Sequence, residues 1–143
     1  MLRAVHDTNV VLAAQRTNHP SSPNREVIER WLRGEYTLLY TDDMLAEFAE
    51  KMLAHAVPRA DILRLLASIR RLGEKVFIAA FHVRPYPADE DDIAFLLCAI
   101  NGAASHLVSY DDDLLSLHDA YLSEFIICQP IPFLADLLKQ AKP

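Results

Sequence analysis

The sequence predicts an α/β domain in three layers, with a central, mostly parallel five-stranded sheet and helices on both faces. Two observations lead there. Short apolar runs alternate along the chain with stretches whose apolar residues recur at three- and four-residue spacing, the signature of helices. The runs themselves are near-continuously apolar, as expected of strands buried on both sides in a parallel sheet. A length of 143 residues suits one domain, 1–143, with room for a real core and little for a second.

Taken in order, Leu2 to His6 reads as the first strand, ending at Asp7, and Val10 to Gln15 as the first helix. Thr17 to Asn24 is a loop by its Pro, Ser and Asn content. Arg25 to Arg33 is helical, with Val27, Ile28, Trp31 and Leu32 on one face, and Gly34 ends it. Tyr36 to Tyr40 is the second strand. Thr41, Asp42 and Asp43 cap a helix that runs to about His55, and Pro58 opens another that reaches Leu72 before Gly73. Val76 to Ala79 is expected as the third strand, and Phe81 to Ala88 as irregular. A strongly apolar helix begins at Asp92 and stops at Asn101-Gly102. His106 to Tyr110 and Phe125 to Cys128 complete the sheet, and Ile131 to Gln140 is the last helix.

Composition narrows the function classes. Apolar residues at 52% and charged ones at 24% indicate a globular chain rather than a disordered one. No apolar run approaches the roughly 20 residues of a membrane span. The start, MLRAVHDTNVVLAAQ, lacks the phases of a signal peptide, so no membrane and a cytoplasmic location are expected. Cys98 and Cys128 sit in apolar surroundings and read as small buried hydrophobes. Gly34, Gly73 and Gly102 are scattered, which excludes a Gly-rich nucleotide loop. The net charge of −6 argues mildly against avid nucleic-acid binding, but its distribution is uneven. Residues 1–84 carry 12 Lys/Arg against 10 Asp/Glu, and residues 85–143 carry 2 against 10, so the second part is acidic enough to hold cations.

Four acids stand out by position. Asp7 closes the first strand, Glu47 lies on the helix after the second, Asp92 opens the long apolar helix, and Asp111 closes the fourth strand. The carboxyl ends of parallel strands and the amino ends of the following helices share one edge, where ligands bind. Carboxylates gathered there repel, and a bound cation relieves the repulsion. Oxygen ligands without His or Cys suit Mg²⁺ or Mn²⁺. Asn9 and Ser109 are placed to support such a site. Asp113 reads as either a further ligand or a capping residue, and Glu50 competes with Glu47. Asp89, Glu90 and Asp91 read as caps or solvated groups at a helix start. Arg59, Arg64, Arg70 and Arg71 read first as a solvated face, with an RNA-backbone contact as the minority reading. His6, His82, His106 and His118 share no ligand spacing and read as structural or surface groups. Trp31 and the tyrosines read as core and rim.

The stretches HDTNVVLAA, TDDMLAEFAEKML, ADEDDIAFLLCAINGAASHLVSYDDDLL and PIPFLADLL, in that order, resemble PIN-domain ribonucleases. They look most like the toxins of bacterial and archaeal toxin–antitoxin pairs, of the virulence-associated protein C kind. The resemblance implies a five-stranded parallel sheet, Mg²⁺- or Mn²⁺-dependent RNase activity through metal-activated water, frequent homodimers and often a small antitoxin partner. The family's four acids fall on Asp7, Glu47, Asp92 (in D-x-x-F-L-x-x-A) and Asp111 (in T-G-D-x-D-L-L), with Asp113 the following Asp. Two positions depart from the pattern: Ser109-Tyr110 replaces Thr-Gly, with Tyr110 bulky enough to narrow the site, and His106 stands where Asp is frequent.

Two other function classes bear on the same residues. A catalytically silent PIN-like scaffold that binds RNA or a partner protein differs from the nuclease by lacking carboxylate-dependent metal binding. A phosphohydrolase of the haloacid-dehalogenase or receiver type is disfavoured, because Asp7-Thr8-Asn9 lacks the second Asp of D-x-D and no Lys follows a late strand.

Overall fold

The computed structural model describes residues 1–85 and 87–141. Tyr86, inside the segment expected to be irregular, and Lys142 and Pro143, at the end of the expected domain, lie outside the described residues. The five strands are β1 (Arg3–His6), β2 (Thr37–Tyr40), β3 (Glu74–Lys75), β4 (His106–Val108) and β5 (Ile126–Cys128). All neighbours pair in parallel, in the order β3-β2-β1-β4-β5. From β1 the chain builds outward to β3, then crosses back to lay β4 on the other side of β1. That reversal makes the gap between the ends of β1 and β4 the topological switch point, where open α/β sheets bind ligands.

The helices are α1 (Thr8–Arg16), α2 (Pro23–Leu32), α3 (Asp42–Ala54), α4 (Arg59–Leu72), α5 (Ile93–Asn101), α6 (Asp112–Leu115), α7 (His118–Tyr121) and α8 (Pro130–Ala141). Strand register assigns each face. Ala4 pairs with Leu38 and His106, so Ala4, His6, His106 and Val108 share one face, and Val5, Leu39 and Leu107 point the other way. On the first face Phe133 of α8 sits edge-on to His6, Tyr36 and His106, with ring centroids 5.0–5.8 Å apart. The second face is covered by α5, whose Phe95, Leu96, Cys98 and Ala99 are buried. Helices on both faces of a parallel sheet make the three-layer sandwich the sequence predicts.

The two cysteines are free and buried, and Trp31 is part of the core. His6 and His106 are buried under α8. His106 holds Asp136 at 2.9 Å through Nε2, so the residue standing at an often acidic position braces α8 to β4.

The third strand is where the sequence misleads. It is not Val76–Ala79 but Glu74–Lys75, and pairing ends as the Val76 N–H donates to the Tyr40 carbonyl at 2.8 Å. Gly73 explains the early start: a Cβ there would lie 2.6 Å from the Ile69 carbonyl oxygen and 3.0 Å from the Tyr40 ring, so only glycine lets the chain turn from α4 straight against β2. The strand is short because β2 ends at Tyr40. Beyond it Phe77 is exposed, and the Asn101 side chain captures the backbone of Ala79 and Ala80, which draws the segment out of the sheet. Helices α6 and α7, each four residues long, have no counterpart in the sequence reading, since one turn carries too little periodicity to recognise.

Gly102 seats the end of α5. A Cβ there would lie 2.9 Å from the Cys98 carbonyl oxygen and from side-chain atoms of both Leu39 and Val76. Its carbonyl also accepts two hydrogen bonds from the Arg3 guanidinium, which pairs in turn with Glu74 and so joins β1, β3 and α5. Gly102→Ala is therefore expected to destabilise by about 1–3 kcal/mol through overpacking. Thermal denaturation followed by circular dichroism should show a melting point several degrees lower, and an unchanged one would refute the close fit.

Candidate metal centre

Three of the predicted acids arrive at the switch point by the same device. Asp7, Asp92 and Asp111 each occupy the N-cap of a helix, α1, α5 and α6 respectively. Asp7 prolongs the ladder, its N–H donating to the Val108 carbonyl at 2.9 Å, and its own carbonyl accepts from Val10 and Val11 to start α1. Its carboxylate makes no capping bond and is left for the site. Asp92 closes a 3-10 turn, Glu90–Asp92, and its side chain likewise caps nothing. Asp111 differs: one carboxylate oxygen accepts the Asp113 N–H at 3.0 Å. Carboxylate oxygens of the three residues lie within 4.8 Å of one another.

Asp7 is 5% exposed and Asp92 4% exposed, so charge on either is poorly solvated. Burial, ahead of the Asp111 and Glu47 charges, pushes the Asp7 carboxyl up from 3.8 to about 6, although hydrogen bonds from Ser109 and the Thr8 backbone act the other way. Asp92 is raised too, first by burial and then by its interaction with Asp111. Its Oδ2 is buried without any hydrogen-bond partner among the described residues. A buried carboxyl with an orphaned oxygen, set in a cluster with two further carboxylates, fits a hard divalent cation, which such oxygen donors hold.

Around the cluster the other candidates take definite places. Ser109 is fully buried and joins two acids: its hydroxyl donates to Asp7 Oδ2 at 2.5 Å and accepts the Asp111 N–H at 2.9 Å. Glu47 is half-buried on α3 and accepts a hydrogen bond from the Thr8 hydroxyl, whereas Glu50 is exposed. Asn9 accepts the Tyr110 N–H at 3.3 Å. A groove of about 200 Å³ opens over the cluster, and Asn9 and Glu47 line it with the three aspartates. Asp113 is exposed and stands outside the three-carboxylate cluster. Arg59, Arg64, Arg70 and Arg71 are exposed on α4 and do not line the groove, and Arg64 pairs with Asp61. Tyr110 does not line it either, because its hydroxyl donates to Asn24 at 2.7 Å.

Four groove residues escaped the sequence reading. Asp89 and Asp91 were expected as caps or solvated groups; Asp89 does accept the Asp91 N–H, yet both also border the groove. Thr8 is buried beside Glu47. Lys51 lies one helical turn beyond Glu47, and that i, i+4 spacing was the available signal.

A family model described as PIN domain matches residues 3–113, from β1 into α6. The chain belongs to the PIN-domain family. No match was found among curated proteins. The matched range contains Asp7, Glu47, Asp92 and Asp111, while β5 and α8 lie beyond it. PIN domains are generally nucleases, and the acidic triad, with Asp7 and Asp92 buried and Asp111 partly so, suits a metal site in one. No helix among the described residues is long and apolar enough to cross a membrane.

The raised Asp7 pKa has a definite linkage sign. A carboxyl raised on folding favours the fold while protonated, and that stability is lost as pH climbs from about 4 through about 6. In chelator, Asp7→Asn should therefore melt higher than the wild type at neutral pH, and at the same temperature near about pH 4. Scanning fluorimetry across that range decides it, and a variant that melts lower at neutral pH would contradict the crowding of the site.

Proposed function

We propose that this protein is an endoribonuclease that hydrolyses RNA phosphodiester bonds with a divalent cation held by Asp7, Asp92 and Asp111. The observation that carries the reading is the buried, unpartnered Asp92 Oδ2 beside two more carboxylates at the sheet's switch point. Membership of the PIN-domain family supports the nuclease chemistry. All-oxygen donors favour Mg²⁺ or Mn²⁺. When bound, such an ion supplies a Lewis acid that lowers the pKa of a water molecule and offsets charge on the phosphate.

The chain's own groups prepare the rest. The Ser109 hydroxyl orients Asp7 and favours its ionised form. Thr8 holds one oxygen of Glu47, which leaves the other to take a proton as water attacks phosphorus and the bond to the leaving oxygen breaks. Asn9, with its carbonyl oxygen engaged by Tyr110, has its Nδ2 to donate into the groove. The same reading makes the protein a cytoplasmic toxin, homodimeric and restrained by a small antitoxin. Its support is the sequence resemblance, and a neighbouring reading frame for a short DNA-binding protein with a disordered tail would bear on it directly.

Asp7→Asn and Asp92→Asn should each lower kcat on a labelled RNA by about 10²–10³, as loss of a preorganised electrostatic group does. Chelator should abolish cleavage, and Mn²⁺ or Mg²⁺ should restore it. The assignment is lost if the wild type with either metal cuts no RNA, or if Asp92→Asn cuts as fast as the wild type.

A further inference from the structure

Among the described residues, the groove over the acidic cluster is lined by six carboxylates, those of Asp7, Glu47, Asp89, Asp91, Asp92 and Asp111, and by one cation, Lys51. Lys51 is on α3, four residues after Glu47, so the two stems rise from the same helix face about 5–6 Å apart. Glu followed by Lys at this spacing is the favourable order for an ion pair within a helix. The pair does not form. Glu47 is engaged by Thr8 instead, and Lys51 has no carboxylate oxygen within 4.0 Å among the described residues. A lysine present only to neutralise crowded acids would be found against one of them.

The α4 arginines do not border the groove, so they offer no cation there. A polyanionic strand entering past six acids meets repulsion that a cation held by the triad would offset only locally. A compact ammonium on a flexible stem is suited to a phosphate oxygen.

From this arrangement we infer that Lys51 is a substrate-binding residue, its ammonium holding a non-bridging phosphate oxygen of the RNA strand in the groove. The inference rests on the proposed nuclease reading for the identity of the strand. It adds a contact that the carboxylate pattern does not contain. Lys51 works on the affinity for the strand, whereas the aspartates work on the cation.

The test uses the full chain with Lys51→Met, which keeps the stem and removes the charge, and Lys51→Arg, which keeps the charge. Binding of a labelled single-stranded RNA oligonucleotide in Mn²⁺ on ice is followed by fluorescence anisotropy over a salt series. Mn²⁺ binding to the RNA-free protein is read by electron paramagnetic resonance. Lys51→Met should weaken RNA binding roughly tenfold at low salt and flatten the log–log salt slope by about 0.7, the share of one phosphate on a single strand. Lys51→Arg should stay close to the wild type, and Mn²⁺ affinity should not fall in either. Unchanged RNA affinity and slope in Lys51→Met, or equal weakening in Lys51→Arg, overturns the role. Should the wild type bind RNA and Mn²⁺ but fail to cleave, the nuclease reading falls while the anisotropy series still decides Lys51. A wild type that binds Mn²⁺ but no RNA overturns both.

Discussion

Mutual repulsion among three carboxylates, two of them buried, is the constraint around which this structure is arranged. Asp7, Asp92 and Asp111 bring oxygens within 4.8 Å of one another, where like charges in a poorly solvated pocket resist joint ionisation. The fold supplies partial relief through three helix N-termini and the Ser109 hydroxyl. That relief is incomplete, since both Asp7 and Asp92 remain raised. The remaining imbalance is the property a divalent cation would remove, and it links the stability of the site to its chemistry.

Holding repelling groups together requires a rigid frame. Parallel pairing of β1 with β4 carries Asp7 directly onto Val108, and Ser109 extends β4 against β5 through a 2.9 Å bond to the Cys128 carbonyl. Buried aromatic contacts from α8 press on the same two strands from below. The apolar helix α5 then delivers Asp92 from the opposite layer. The backbone of each acid is thus fixed by hydrogen bonds or core packing, while Ser109 and the Asp113 N–H each engage one carboxylate oxygen, of Asp7 and Asp111 respectively. Two polar residues complete the frame: Ser109 ties Asp7 to Asp111, and Thr8 holds Glu47.

Much of this was legible without coordinates. Strand ends and helix starts are marked by acids next to apolar runs, so Asp7, Asp92 and Asp111 could be picked by position alone. The choice of Glu47 over Glu50 agrees with their exposure, because Glu50 faces solvent. Less was legible where a side chain's partner comes from elsewhere in the chain. Val76 to Ala79 has strand-like composition, but Asn101 claims the backbone of Ala79 and Ala80, and nothing local to either segment announces it. Asp89 and Asp91 look like ordinary helix-start acids until the groove is formed around them.

By itself the sequence determined the class of fold and placed acids at strand ends and helix starts. These follow from periodicity and from residue chemistry, which are local. Only the tertiary structure decided that β1 lies beside β4 and that Ser109 spans two acids. It also decided that, among the described residues, Asp92 Oδ2 is left unpartnered and Lys51 stands unpaired beside the groove. Those facts depend on strand order and on distances between residues far apart along the chain, which packing of the whole core sets and no short stretch of sequence encodes.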